Sequence, residues 1–269
     1  MDFRTIVDIK EAPFSIGARA EILFVGSCFA DNIGKKMKDE LFRVTVNPFG
    51  VMYNPASVLH TIQRVEKIPD RVVITLGTNH VYILNSSGEI VDNCQKRPQR
   101  LFTEKTLSVE ECTEHLQQCI DTMRERNANV KIVMTVSPIR YAKYGYHGSR
   151  LSKATLLLAV DNIINRYGDM VYYFPAYEIM NDELRDYRFY APDMLHPSEQ
   201  AVEYIWQQMQ QTLLSEDARG FIGEWEPIKQ ALNHKPFNAD SEEYKAFMEK
   251  TREALHRLEE KYGSLDIDI

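Results

Sequence analysis

Cysteine is scarce: four in 269 residues, with no Cys-x-x-Cys pair and no histidine at zinc-finger distance. That leaves no basis for a disulfide framework or a structural zinc site. Long apolar runs are missing as well. Nothing approaches the roughly 18 residues of a membrane span, and Met1-Asp2-Phe3-Arg4 leads into no apolar leader. Reduced thiols in a cytoplasmic protein without membrane contact are therefore expected. Basic charge is in deficit, with 32 Lys and Arg against 39 Asp and Glu and a net charge of −7. This speaks against a nucleic-acid partner, because phosphate binding normally shows as a basic face. The local exception, Gln95-Lys96-Arg97-Pro98-Gln99-Arg100, reads equally well as a solvated loop. Glycine (12) and proline (11) are in no excess, and there is no internal repeat or low-complexity tract. Disordered and fibrous classes are excluded, and the length suits one sizeable core.

Within that frame, continuous apolar runs rich in β-branched or aromatic residues occur at 22–25, 72–76, 130–136 and 171–174, with a weaker one at 43–46. Runs without polar alternation are the pattern of parallel strands covered on both faces. Helical spacing lies between them, at 31–41, 55–65, 109–126 and 151–167, and after Ser198. Ser108-Val109-Glu110-Glu111 is a capping-box signature, Pro55 suits a first turn, and Gly168 ends a helix. Strands alternating with helices predict an α/β fold with a mainly parallel, doubly wound sheet. Ligands of such sheets bind beyond the carboxyl ends of the strands, where Ser27, Gly77 and Ser137 fall.

Two stretches break the alternation. Residues 81–92 read as an inserted hairpin around Asn85-Ser86-Ser87-Gly88. After about residue 214 a loop with Gly220, Gly223, Pro227 and Pro236 is expected, then a charged helix opened by Asp240 and Glu243. Its stripe of Tyr244, Phe247, Thr251, Leu255, Leu258 and Tyr262 suits docking on the core, or homodimerisation through a second copy. The expected organisation is thus an α/β unit over 1–214 and a C-terminal appendage over 215–269.

The chemistry-bearing residues sit at the two ends of the first unit. Gly26-Ser27-Cys28-Phe29-Ala30 directly follows a strand, which puts the Ser27 hydroxyl at a helix N-terminus among unpaired N–H groups. Taken alone, Ser27 reads as a helix cap. Asp193-Met194-Leu195-His196-Pro197 places a carboxylate three residues before a histidine on a tight loop. Taken alone, that is a solvated turn. Together they supply serine, aspartate and histidine, the three groups acyl transfer needs. Ser27 does not lie in a G-x-S-x-G elbow, so the α/β-hydrolase family is not indicated. His60, His80, His115, His147 and His196 have no metal-ligand spacing, and no cofactor or metal is expected.

Gly26–Ala30 resembles the name motif of the GSCFA proteins, a branch of the SGNH (GDSL-like) hydrolase superfamily. Asn47-Pro48-Phe49-Gly50 with Tyr53-Asn54-Pro55, Leu76-Gly77-Thr78, Asn93-Cys94 with Lys96, Val136-Ser137-Pro138, and Tyr187-Arg188-Phe189-Tyr190 ahead of Asp193 resemble that family in the same order. The resemblance spans roughly residues 20–210. It implies a three-layer α/β/α, flavodoxin-like fold of the SGNH-hydrolase type. It also implies Ser27 as nucleophile, Asp193 as orienting acid and His196 as general base. The N–H groups of Ser27 and Gly50 and the amide of Asn79 would form the oxyanion hole. His80 stands where the superfamily usually has aspartate, and is either a further polar group in the pocket or an unrelated strand-end residue. Asn93 and Lys96 with Cys94 would belong to the rim. Cys28 reads as a small buried hydrophobe. The segment Arg140-Tyr141-Ala142-Lys143-Tyr144-Gly145-Tyr146-His147-Gly148, mixing rings, cations and glycine, reads as either a pocket-lining lid or an ordinary ordered loop.

The resulting expectation is a metal-independent serine esterase acting on a small-molecule or carbohydrate ester, most naturally an acetyl ester. Acyl transfer to a second alcohol by the same residues, or glycan binding with weak turnover, are the rival expectations.

Overall fold

The computed structural model describes residues 4–238, 240–265 and 267; residues 1–3, which bear on the leader expectation, lie outside them. The elements run β1 (Glu21–Gly26), α1 (Cys28–Asp39), β2 (Arg43–Val46), α2 (Pro55–Arg64), β3 (Arg71–Leu76), β4 (His80–Leu84), β5 (Ile90–Val91), β6 (Phe102–Thr106), α3 (Val109–Arg126), β7 (Lys131–Val136), α4 (Gly145–Tyr167), β8 (Val171–Tyr173), α5 (Ala176–Glu178), α6 (Glu199–Leu213), α7 (Glu216–Asn233) and α8 (Glu242–Tyr262).

Five strands pair in the order β2-β1-β3-β7-β8, every neighbour parallel. Each core strand divides its side chains between two apolar layers. From β1, Ile22 and Phe24 join one layer with Phe29, Ile33 and Met37 of α1 and Ile205 and Trp206 of α6. Leu23 and Val25 join the other, with Val58 and Ile62 of α2, Leu116 and Ile120 of α3 and Leu156 of α4. Burial on both faces is why these strands read as unbroken apolar runs. Side chains such as Phe24 and Leu116, fully enclosed, contribute about 1.5–3 kcal/mol each. The result is the expected three-layer α/β/α sandwich.

Local signals set the helix starts. Ser27, Asn54, Ser108 and Ser198 each accept a backbone N–H from the first turn of α1, α2, α3 and α6, and Ser108 with Glu111 completes the capping box.

Three expectations need correction. The inserted hairpin is the edge of a three-stranded antiparallel sheet, β5-β4-β6. β6 (Phe-Thr-Glu-Lys-Thr) is mostly exposed and carries no apolar run to betray it. The expected loop after residue 214 is instead largely α7, with Pro227 inside it. Ala218, Phe221, Trp225 and Ile228 form its buried stripe, and packing on α1 outweighs the breakers. Phe221 meets Phe42 edge-on at 6.2 Å, and the Trp225 indole N–H donates to the Asp39 carbonyl at 3.2 Å. Lastly, α8 is capped by Ser241, which accepts the Tyr244 N–H at 3.2 Å, rather than by Asp240. Its Thr251, Leu255 and Leu258 face inward onto α7 and the α1 layer.

Candidate active site

Ser27 follows β1 at the carboxyl edge of the sheet, and the loop bearing Asp193 and His196 lies over the same edge. Arg140, just past β7, ties that loop down: its N–H donates to the Leu195 carbonyl at 3.1 Å and its guanidinium to the Met194 carbonyl at 3.0 Å.

Within the loop the acid–base pair is fully formed. Asp193 Oδ2 accepts from His196 Nδ1 at 2.6 Å, while Oδ1 accepts the N–H groups of Leu195 (2.9 Å) and His196 (3.0 Å). Aiming both N–H groups at one oxygen requires a sharp reversal, and Met194 supplies it with φ +59°. That left-handed conformation is uncommon for a residue with a Cβ and marks a locally over-determined turn. The His196 and Leu195 N–H groups, then the imidazole, hold the Asp193 carboxyl down at about 2. A carboxylate on Nδ1 fixes the tautomer in which Nε2 is free to accept a proton.

The serine half is arranged differently. Ser27 is wholly buried. Its hydroxyl lies 3.0 Å from Thr75 Oγ1 and accepts the Phe29 N–H at 3.3 Å; among the described residues it makes no hydrogen bond to His196. Its backbone N–H is engaged by Thr75, at 3.0 Å to the carbonyl and 2.9 Å to the hydroxyl. The structure thus gathers Ser27, Asp193 and His196 on one edge but links only the last two.

The other expected oxyanion donors are also engaged within the fold. The Gly50 N–H donates to the Asn47 carbonyl at 2.9 Å, closing an exposed turn with Gly50 at φ +93°. Asn79 is buried and its amide donates to the Leu107 carbonyl at 2.7 Å, inside the fold. Neither Asn93 nor Lys96 hydrogen-bonds Ser27 among the described residues. Asp92, next to Asn93, is held by His60 (2.8 Å) and Arg64 (2.7 Å), in the second half of α2 and away from the edge where that helix starts. Asn93 itself caps a local turn, accepting from the Gln95 N–H at 2.9 Å. His80 stacks on Tyr144 at 3.6 Å, and burial pushes its pKa down. Glu104 sits 3.9 Å from His80 and bonds Lys143 and the Tyr144 hydroxyl, so the 142–144 turn is pinned to the small sheet. Cys28 is only half buried, its thiol 3.5 Å from the Tyr53 hydroxyl.

Several further residues shape this edge through contacts that the sequence does not announce. Asn47 accepts the Gly26 N–H on Oδ1 (2.8 Å) and donates to Asp31 (2.7 Å), fixing the end of β1 to α1. Tyr53 crosses the strand ends, its carbonyl accepting the N–H groups of Gly77 and Thr78 at 2.8 Å. Gly77 has no room for a side chain: a Cβ there would lie 2.4 Å from the Tyr141 hydroxyl. Tyr141 is thereby seated on the end of β3. Beneath them Lys153 of α4 is completely buried and donates to the carbonyls of Gly77 and Ser137, both at 2.7 Å. Burial pushes its amine down to about 7. A neutral amine has two hydrogens, one for each carbonyl. All four thiols are free, and no cluster of three or more metal-ligating side chains occurs among the described residues.

With this geometry in hand, similarity to known proteins becomes informative. The sequence model of the GSCFA family matches residues 21–69 and 66–209, and that of the GSCFA domain protein, C-terminal domain, matches residues 225–268. The chain belongs to the GSCFA family. No curated protein matches it. Among solved structures, it is similar to a catalytic mutant of an acetylxylan esterase from Geobacillus stearothermophilus (TM-score 0.50, 13% identity, covering 74% of this chain and 96% of that one). It is also similar to a member of the lipolytic protein G-D-S-L family from Veillonella parvula (0.46, 12%, 71% and 96%). A third is a carbohydrate esterase family 3 protein from Talaromyces cellulolyticus (0.43, 11%, 71% and 94%). At such identities the likeness is one of fold, and that fold is the SGNH-hydrolase fold. No described helix is long and apolar enough to cross a membrane.

Proposed function

We propose that this GSCFA protein is a serine esterase in which Ser27 attacks the ester carbonyl and the His196–Asp193 pair moves the proton. The observation that carries this reading is the completed pair: Asp193 satisfied on both oxygens, His196 held at 2.6 Å on Nδ1, and Nε2 left as the acceptor. Rotation of the Ser27 side chain away from Thr75 would bring its hydroxyl towards Nε2. His196 would take the proton and return it to the leaving alcohol, and water would then cleave the acyl-enzyme. The Ser27 N–H is the nearest oxyanion donor once released from Thr75, with Gly50 and Asn79 joining only after exchanging their present bonds. A short acyl group, acetyl above all, on a carbohydrate or other small alcohol is the substrate class we favour; the fold-likeness to an acetylxylan esterase is in keeping with it.

One observation favours a second reading. A buried serine whose hydroxyl and N–H are both engaged suits a protein that binds sugars and turns over weakly. Hydrolysis of an aryl acetate by the wild type and by Ser27→Ala separates the two, together with fluorophosphonate labelling. Loss of at least about 10³-fold in the variant, with wild-type labelling at Ser27, is expected for the esterase. Equal rates, or no labelling of folded protein, would remove Ser27 from the chemistry.

A further inference from the structure

Beside the His196 loop, with Arg140 in its wall, lies a cavity of about 310 Å³ that none of the proposed chemistry uses. Its wall is unusual. α5 runs directly into a π-helical turn, Ile179–Glu183, which brings Met180, Asn181 and Asp182 to the lining. Turns of this type are rare and recur at functional sites.

Three arginines line the cavity: Arg140, Arg150 and Arg185. Arg140 is locked, one nitrogen on the Met194 carbonyl and its plane against Tyr190 (4.6 Å), Tyr146 (5.0 Å) and Tyr187 (5.9 Å). Among the described residues Arg150 hydrogen-bonds only the Tyr177 hydroxyl, at 3.3 Å, and Arg185 has no hydrogen bond or ion pair. Two carboxylates also line the cavity. Asp186 is paired with Arg188 at 3.6 Å, and Asp182 has no ion-pair partner among the described residues. The lining is therefore cationic in a protein whose net charge is −7, and a concave cationic site focuses field on anions.

From this we infer that the cavity is a subsite for an anionic substituent, carboxylate or phosphate, on a sugar-sized part of the substrate remote from the scissile ester. The guanidinium fork matches both groups bidentately, and the Tyr187 and Tyr190 rings offer faces for the attached ring. The cavity lies at the small end of the range for ligand sites, which fits one substituted ring. The inference rests on the esterase reading for the identity of the ligand as substrate, but its test does not depend on turnover.

Equilibrium titration of the full chain with glucose, glucuronate, glucose 6-phosphate and inorganic phosphate decides it. One anionic sugar is expected to bind at least about tenfold tighter than glucose, with affinity falling as salt rises. The responding arm tells carboxylate from phosphate. Arg150→Gln with Arg185→Gln should abolish the preference, and both side chains are exposed, so unchanged melting checks the fold. Asp182→Asn should tighten binding by removing a repelling charge. Anionic sugars binding no better than glucose would overturn the proposal, as would a preference that survives the double variant. Inorganic phosphate binding as tightly as the sugar phosphate would mean an adventitious ion only, and would overturn it too. Aryl acetate hydrolysis in the same preparation reports on Ser27 alone, so failure of the subsite and failure of the esterase are told apart.

Discussion

The two halves of the candidate site contrast in how ready they are. The His196 loop is open to solvent, locally strained at Met194 and complete in its hydrogen bonds. The Ser27 turn is closed, and the serine's N–H and hydroxyl already have partners within the fold. Under the proposed esterase reading, reorganisation of the serine turn, rather than creation of the acid–base pair, is the step substrate binding would have to drive. Lys153 lies between the halves. It holds the end of β3, next to Thr75, and the end of β7, next to Arg140.

That contrast can be broken at three places. Asp193→Asn attacks the ready half by removing the carboxylate that fixes the imidazole tautomer. Ester hydrolysis should fall by about 10²–10⁴-fold with little change in KM. A loss under threefold in kcat would mean the pair is not part of the chemistry. Lys153→Met attacks the join. The unfolded lysine titrates near 10.5 and the folded one at about 7. Between these values the unfolded chain binds more protons, so wild-type stability rises with pH across that window. Chemical denaturation from pH 6.5 to 9.5 should show wild type gaining on Lys153→Met as pH increases. A constant difference would mean the amine keeps its charge when buried. Thr75→Val sharpens the closed half. It removes the hydroxyl that holds Ser27 while leaving the Thr75 carbonyl, and about 1 kcal/mol of stability should go with it. A rise of a few-fold in kcat is expected if Thr75 restrains the nucleophile; a fall of tenfold would assign Thr75 to the working conformation instead.

The ready half was also the legible one. Asp193 and His196 are three residues apart, so the loop's geometry is local, and a D-x-x-H string followed by proline encodes it. Likewise the strands at 22–25 and 72–76 and the capped helices declared themselves through local pattern. What stayed hidden depends on contacts between distant segments. Thr75 meets Ser27 across 48 positions and Lys153 meets Gly77 across 76, and no window of sequence reports such pairs. A lysine in a helix reads as a solvated face, yet Lys153 ends up enclosed because two strand ends leave carbonyls to satisfy. β6 was missed because an exposed polar strand has no hydrophobic signature, and α7 because Gly220, Gly223 and Pro227 argue against the helix that tertiary packing enforces. The strand-to-helix pattern put Ser27 at a helix N-terminus, as the structure has it, whereas the tie of the Asn93 and Lys96 loop to α2, through Asp92 with His60 and Arg64, again joins distant segments.

One further feature bears on handling of the molecule. α1 has Ser27 at its first turn, and its other end, about 18 Å away, is gripped by α7 through the Trp225–Asp39 bond and the Lys229–Glu40 ion pair at 2.7 Å. The terminal segment therefore acts as a brace on the helix that bears the serine, from the opposite side of the sheet edge. Trimming it as dispensable ornament would uncover Phe42 and strip the Asp39 carbonyl and the Glu40 carboxylate of these partners.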